Sequence, residues 1–556
     1  MTVKAVVSTI ATEPIPPGYW RREVSHAPRP QSPLGRTTAL AYSNAGFRRM
    51  FDELGVLPET LEWREIRGWI YTRLVPSGGG DRTAAAAETL RTDRYGRYLD
   101  RWFRVWHDEL TVTIAELRAA RLGAMDDTEL IAHLRRVLAL LERGIDVHFR
   151  LQGGYAVLLA DLAFTCRSLL GWDDRRTLHL LRGLSTASTE PARRLSELAT
   201  LARTRPAVRA LLRRADAAAA AALAQADPEF AARFAAYQHE FGFRSIRYEV
   251  IDPTLAETPE LVLRLLRDQL DTGYDPSTAD ITARDARERC RELARAQLSG
   301  VDLARFDRAL SRAERIYPVR EEYGPTTFSE PLALLRHAAL EVGHRLAAVG
   351  RLTRAEDAFF LEGDELLAAL AGGDDLEPMV VSRRADREWA LAHPGPASYG
   401  TPGPPPSLRL LPAEARFVNE AMMWLVGHSF APDDSARVQT GGVLTGLPAS
   451  SGSYAGPVRV IHGESEFDRL HPGDVLVCPI TSPVWSVLFP QVGALVTDTG
   501  GILSHPAIIA REYGIPAVVA TGNATSVLCD GQLATVDGSA GTVRVTAPIH
   551  SSRRHT

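Results

Sequence analysis

The 556-residue sequence predicts a multidomain protein in which a large, mainly α-helical domain precedes a compact C-terminal α/β unit. Between about residues 82 and 370 apolar residues recur at helical spacing. After residue 441 short β-rich runs separated by turn residues take over. Between the two regions, residues 393–412 hold seven prolines and three glycines, including Pro404-Pro405-Pro406, which reads as a stiff, extended spacer. At roughly 3 Å per residue such a spacer spans ~50–60 Å.

Each element has its own signal. The first ~75 residues mix turn residues and aromatics, among them Pro14, Pro16, Pro17, Gly18, Tyr19 and Trp20, and read as an ordered but irregular opening segment. In Asp126-Asp127-Thr128-Glu129, Asp126 can cap a helix and Glu129 can close a capping box. Leu130, Leu134, Leu138, Leu141 and Ile145 follow at spacings of three and four. Pro331 opens another helix, lined by Leu332, Leu335, Ala339, Val342, Leu346 and Val349, and Gly350 stops it. A further helical piece is expected over 413–426, after the spacer. Strands are expected at 457–461, 475–478, 494–496, 517–519, 533–536 and 542–545, with one helix over about 506–513.

Composition removes whole classes of function. Hydrophobic residues are 45% and charged residues 24%, which excludes wholesale disorder. Cys166, Cys290, Cys478 and Cys529 lie far apart with no C-x-x-C pair, so neither a disulfide framework nor a metal site is expected. The net charge of −4 gives no general attraction to nucleic acid or to an anionic membrane. Of 64 basic residues only Lys4 is lysine, a bias typical of GC-rich bacterial coding. A P-loop, a protein kinase and a pyridoxal enzyme each need a lysine that Lys4 cannot supply. No secretory signal is seen over residues 1–12 and no apolar run approaches ~20 residues, so a cytoplasmic location is expected.

One stretch carries chemistry: Thr497-Asp498-Thr499-Gly500-Gly501-Ile502-Leu503-Ser504-His505-Pro506-Ala507-Ile508-Ile509-Ala510-Arg511-Glu512-Tyr513-Gly514-Ile515-Pro516-Ala517. A strand ends, a glycine-rich turn follows, and a histidine stands at the mouth of a helix with Pro506 in its first turn. Unpaired N–H groups and partial positive charge at a helix N-terminus suit a phosphate and favour a neutral, nucleophilic imidazole. Gly500 and Gly501 would let the backbone approach an anion closely. The competing reading of His505 is a plain polar cap.

This stretch resembles the mobile phosphohistidine domain of phosphoenolpyruvate-utilising enzymes, the group of phosphoenolpyruvate synthase, pyruvate phosphate dikinase and rifampin phosphotransferase. The resemblance rests on Gly500, Gly501, Ser504, His505, Ala507, Ile508, Ala510, Arg511, Glu512, Gly514, Ile515, Pro516 and Ala517. Asp530-Gly531, Asp537-Gly538, Gly541 and Val543 extend it downstream, and Gly452 and Gly456-Pro457-Val458-Arg459-Val460 upstream. Two residues depart from the family pattern: Pro506 stands for the usual alanine and Ala520 for a usual glycine. Leu503 occupies the place of the regulatory threonine of plant-type dikinases, so that control is not expected. The resemblance implies a swivelling β/β/α domain over 441–548, phosphorylated on His505. Thr499, Gly500, Gly501, Ser504 and Arg511 are expected to hold the phosphoryl oxygens.

A weaker resemblance covers the helical part. Pro17-Gly18-Tyr19-Trp20, Phe241-Gly242-Phe243-Arg244, Val342-Gly343-His344-Arg345-Leu346 and Glu356-Asp357-Ala358-Phe359-Phe360-Leu361 are similar to the substrate-binding helical domain of rifampin-phosphotransferase-like proteins. That implies a substrate-binding domain over 1–392 and a linker and hinge over 393–440. Phe243 stands where the group often has histidine. Arg244, Glu249, Arg320 and Glu321 are the candidate substrate-binding residues, with interhelix salt bridges as the competing reading.

Family members usually carry an ATP-grasp domain that phosphorylates the histidine, and a phosphoenolpyruvate-binding barrel; neither is expected in this sequence. By analogy with phenylphosphate synthase, a split system is expected. A separate ATP-grasp protein holding ATP and Mg2+ would charge His505, which passes the phosphoryl group to a small-molecule hydroxyl in secondary metabolism, while this chain itself binds no cofactor. Two alternatives stand beside this phosphotransferase reading: a dehydratase component in which phosphorylation activates a hydroxyl for elimination, and a non-catalytic binding or regulatory homologue. Gly427-His428-Ser429-Phe430-Ala431 approaches the G-x-S-x-G nucleophile elbow, but its fifth residue is alanine and a helix, not a strand, precedes it.

Overall fold

The computed structural model describes residues 10–78, 81–247, 249–270, 276–373, 375–404, 406–429 and 442–545. They fall into two units, each drawn from separate stretches of chain: 10–157, 247–253 and 322–422 in the first, 158–246, 254–321 and 423–545 in the second. Helices dominate both, and the C-terminal β-sheet belongs to the second.

In the first unit the opening segment is more regular than its sequence suggested. Strands β1 (Trp20–Arg22), β2 (Pro58–Ile66), β3 (Trp69–Pro76) and β4 (Ser398–Tyr399) make an antiparallel sheet in the order β2-β3-β1-β4. The β2–β3 hairpin turns on two residues, Arg67 and Gly68, both at positive φ (51° and 80°), the geometry that matches strand twist. Strand β4 corrects the reading of residues 393–412 as a spacer free of elements. It pairs with β1, the Arg22 Nη1 donates to the Gly395 carbonyl at 2.7 Å, and the Tyr71 hydroxyl donates to the Pro396 carbonyl at 2.9 Å. Trp20, Ile66, Trp69, Tyr71 and Ala390 form the core beneath. The rest of the expected hinge, 430–440, lies outside the described residues.

The capping box forms as its sequence indicates. The Asp126 N–H donates to Glu129 and the Glu129 N–H to Asp126, at 2.9 and 2.8 Å. The helix Asp127–Leu170 follows, with Leu130, Leu134, Leu141 and Ile145 buried. By length and composition it could cross a membrane, although none of its uninterrupted apolar runs approaches ~20 residues; 67% of its apolar window is buried inside the protein. Helix Glu330–Ala348 buries Leu332, Leu335, Ala339, Val342 and Leu346, whereas Val349 is exposed just past its end and Gly350 takes a φ of 74°.

The second unit holds strands β5 (Val443–Thr445), β6 (Leu447–Ser450), β7 (Ser453–Val460), β8 (Val475–Cys478), β9 (Ala494–Thr497), β10 (Ala517–Val519), β11 (Leu533–Asp537) and β12 (Thr542–Val545). Their order is β5-β12-β11-β7-β8-β9-β10-β6, with β7, β8, β9 and β10 parallel. Side chains alternate across the sheet. Val475 and Val477 pack on one face with Val458, Val536 and Val543; Leu476 and Cys478 pack on the other. That second face shares one core with helices from earlier in the chain: Leu195, Ala199, Leu263 and Leu266 join Trp485, Leu488, Phe489 and Ile509. Both faces being covered explains why β8 and β9 are buried throughout.

Candidate functional site

Parallel sheets present ligand sites beyond the carboxyl ends of their strands. Strand β9 ends there, and the loop 498–504 returns the chain into the helix His505–Tyr513 before β10. The loop is pinned from several sides. Thr499 donates through its N–H and its hydroxyl to the Pro479 carbonyl, both at 3.1 Å. Gly500 takes a φ of 109°, open to glycine alone. Ser504 caps the helix and donates its hydroxyl to the Gly501 carbonyl at 2.7 Å. The Leu503 N–H donates to the His428 carbonyl at 2.7 Å, and a Cβ on Gly501 would stand 2.1 Å from that same oxygen.

His505 is the first helical residue and Pro506 the second, where the missing N–H is no loss. The imidazole is 15% exposed. Its Nδ1 lies 3.3 Å from Oε2 of Glu321, itself 15% exposed. Its Nε2 is shielded from solvent and has no hydrogen-bond partner among the described residues. A carboxylate only accepts hydrogen bonds, so this contact places a proton on Nδ1 and leaves Nε2 as the ring's open nitrogen. Chemistry at Nε2 therefore requires its cover to move. The other oxygen of Glu321 lies 4.0 Å from Nε of Arg320.

The remaining expected site residues divide by what they touch. Thr499 spends its hydroxyl on the Pro479 carbonyl and Ser504 spends its own on Gly501 within the loop, and Gly501 admits the His428 carbonyl, where an anion was expected. Arg511 differs most from expectation: it is buried, and its Nη1 donates to the carbonyls of Ile502 (2.6 Å) and Ala449 (3.1 Å). It braces the loop from behind. The Tyr317 phenol lies beside it, and burial pushes that phenol up to about 12. Arg244 sits with its guanidinium 5.5 Å from the Phe241 ring. Glu249, in the first unit, is buried, accepts from the Ser32 hydroxyl at 2.7 Å, and burial pushes its carboxyl up to about 7. Of the four candidate substrate residues, Glu321 is the one the structure brings onto His505.

Asp174 had no readable sequence signal. Asp174 accepts from His428 Nε2 and Trp424 Nε1, both at 3.0 Å, and from Arg167 at 2.9 Å. This fixes the helix end whose carbonyl holds Leu503. The same helix end settles the elbow-like Gly427-His428-Ser429, which lies in the last turn of helix Ala413–Ser429; Phe430 and Ala431 are outside the described residues. Glu512, beside Arg511, accepts from the Gly183 N–H at 2.8 Å, and burial pushes its carboxyl up to about 7.

Two stretches of the chain match known families. Residues 470–541 match the family described as PEP-utilising enzyme, mobile domain, and residues 151–321 match the rifampicin phosphotransferase fourth domain. An uncharacterised phosphotransferase of Bacillus subtilis is 33% identical over 310 residues, 54% of this chain and 35% of that protein. The chondramide synthase of Chondromyces crocatus is 28% identical over 549 residues, 94% of this chain and 14% of the synthase. The rifampicin phosphotransferase of Streptomyces sviceus is 35% identical over 210 residues, 38% of this chain and 21% of that enzyme. The chain thus spans about a third or less of the length of each of these relatives. It carries, around His505, the mobile domain of PEP-utilising enzymes and, ending at Glu321, the fourth domain of rifampicin phosphotransferases.

Proposed function

We propose that this chain is a phosphotransferase component that carries a phosphoryl group on Nε2 of His505 and delivers it to a small-molecule hydroxyl. The observation that carries the reading is the ring itself. It stands at a helix N-terminus in the mobile-domain match, tethered at Nδ1, with a buried Nε2 that has no partner among the described residues. Buried polar atoms are rarely left unpaired, and catalytic atoms are a standing exception. A covalent carrier splits one difficult transfer into two easier ones, and the protein's share is positioning.

The donor in this proposal is a separate ATP-grasp protein holding ATP and Mg2+, since neither matched region is named for nucleotide binding. The likeness to a named synthase over nearly the whole chain supports a place in secondary metabolism. Cys166, Cys290, Cys478 and Cys529 are all unpaired, which fits a cytoplasmic protein. Delivery by a swinging mobile domain would have to open the core that the sheet shares with the helices of 192–266.

The test is label transfer. The protein is incubated with radiolabelled ATP and an ATP-grasp protein encoded beside it. Acid-labile, base-stable label on the wild type and none on His505→Ala is the expected result. No label on the wild type, with a partner that turns over ATP, would favour a non-catalytic binding protein.

A further inference from the structure

We propose that Glu321 is the positioning residue that selects which nitrogen of His505 receives the phosphoryl group, an inference that rests on the relay reading above. A neutral imidazole has one N–H, and which nitrogen holds it is set by the partner of the other. Among the described residues the hydrogen-bond partner of the ring is a carboxylate at Nδ1, 3.3 Å away, so the proton resides on Nδ1 and the in-plane lone pair on Nε2. Leaving a buried acceptor unpaired is unfavourable, so something must hold the ring in this orientation. Ser504 fixes the backbone before it and Pro506 the φ after it, but neither acts on the ring's tautomer. Glu321 does.

The chemistry follows. The Nε2 lone pair forms the N–P bond as the P–O bond to the donor's leaving oxygen breaks, and that oxygen departs with the electron pair. The ring, still protonated at Nδ1, takes on positive charge, which the Glu321 carboxylate faces. In delivery the acceptor oxygen forms a P–O bond, the N–P pair returns to Nε2, and the hydroxyl proton passes to water. The carboxylate comes from the fourth-domain match and the ring from the mobile-domain match, and both lie in the second unit. The tautomer is therefore set only while these two regions are together.

The experiment uses the full chain with 15N-labelled histidine rings, and His505→Asn assigns the resonance. Wild type should show His505 as the Nδ1–H form. Glu321→Ala should shift it toward the Nε2–H form that free histidine prefers, Glu321→Asp should restore part of the bias, and Glu321→Gln should weaken it without loss of fold. A second readout uses phosphoramidate, a phosphoryl donor that needs no partner protein. Wild type should be phosphorylated at Nε2, and in Glu321→Ala the rate at that atom should fall about tenfold. An unchanged tautomer and an unchanged Nε2 rate in Glu321→Ala would overturn the role of Glu321, even with the relay intact. The expected tautomer shift, with no phosphorylation of His505 by any donor, would support Glu321 and sink the relay.

Discussion

The two nitrogens of His505 have different surroundings, Nδ1 facing Glu321 and Nε2 without a partner among the described residues, and its neighbours differ in the same way. Gly501 accommodates the backbone of His428, and Gly501→Ala would press a methyl to 2.1 Å from that carbonyl oxygen. The variant should lose phosphorylation at His505 together with about 2–3 kcal/mol of stability, read as a drop in label and in melting temperature. Ala520 is the reverse case. It stands where the family usually has glycine, and its φ is 57°, in the left-handed region. Ala520→Gly should therefore stabilise by roughly 0.5–1 kcal/mol, seen as a higher unfolding midpoint at unchanged labelling. That position was legible because the departure from pattern was local. Glu321 was legible only as a candidate: 184 residues separate it from His505, and no spacing in the sequence joins them.

At the scale of elements, the strand β9, its loop and the His505 helix were readable because one contiguous stretch encodes them and each step has its own residue type. The hairpin β2–β3 was not, since its turn is Arg67-Gly68 and lacks the asparagine or aspartate that marks such turns. Strands β5 and β6 were missed because Gly446 and Pro448 break any alternation. The anchoring of helix Ala413–Ser429 depends on Asp174. Burial alone would raise the Asp174 carboxyl, but hydrogen bonds from His428 and Trp424 and the charge of Arg167 hold it below its ordinary value. The sign is that of a depressed acid. Its stabilisation is present above pH 3.8 and is lost as pH falls through the lower folded value. Asp174→Asn should cost about 1–3 kcal/mol at pH 7 and lose less further stability than wild type below pH 3.8, by thermal melts across pH.

Across the whole molecule, buried carboxyls act in the opposite direction. Glu249 and Glu512, one in each unit, both have carboxyls raised by burial from 4.5 to about 7. An acid raised in the folded state contributes stability that is full below pH 4.5 and is lost as pH rises toward 7. Melting temperature should therefore decline from pH 5 to pH 8, and Glu512→Gln should flatten that decline by up to about 3 kcal/mol, sparing the share due to Glu249. The large helical region and the C-terminal sheet were both foreseeable from periodicity. Their common core was not, because Leu195, Leu263, Trp485 and Phe489 read only as apolar residues until the fold puts them together.

The most direct measurement of the central claim is to locate the phosphate. After charging by an ATP-grasp partner and tryptic digestion above neutral pH, residues 470–511 form one peptide that holds two histidines, His471 and His505. Fragmentation by mass spectrometry should place one phosphoryl group on His505 and leave His471 bare. Phosphate on His471, or an unmodified peptide after the partner has turned over ATP, would contradict the account.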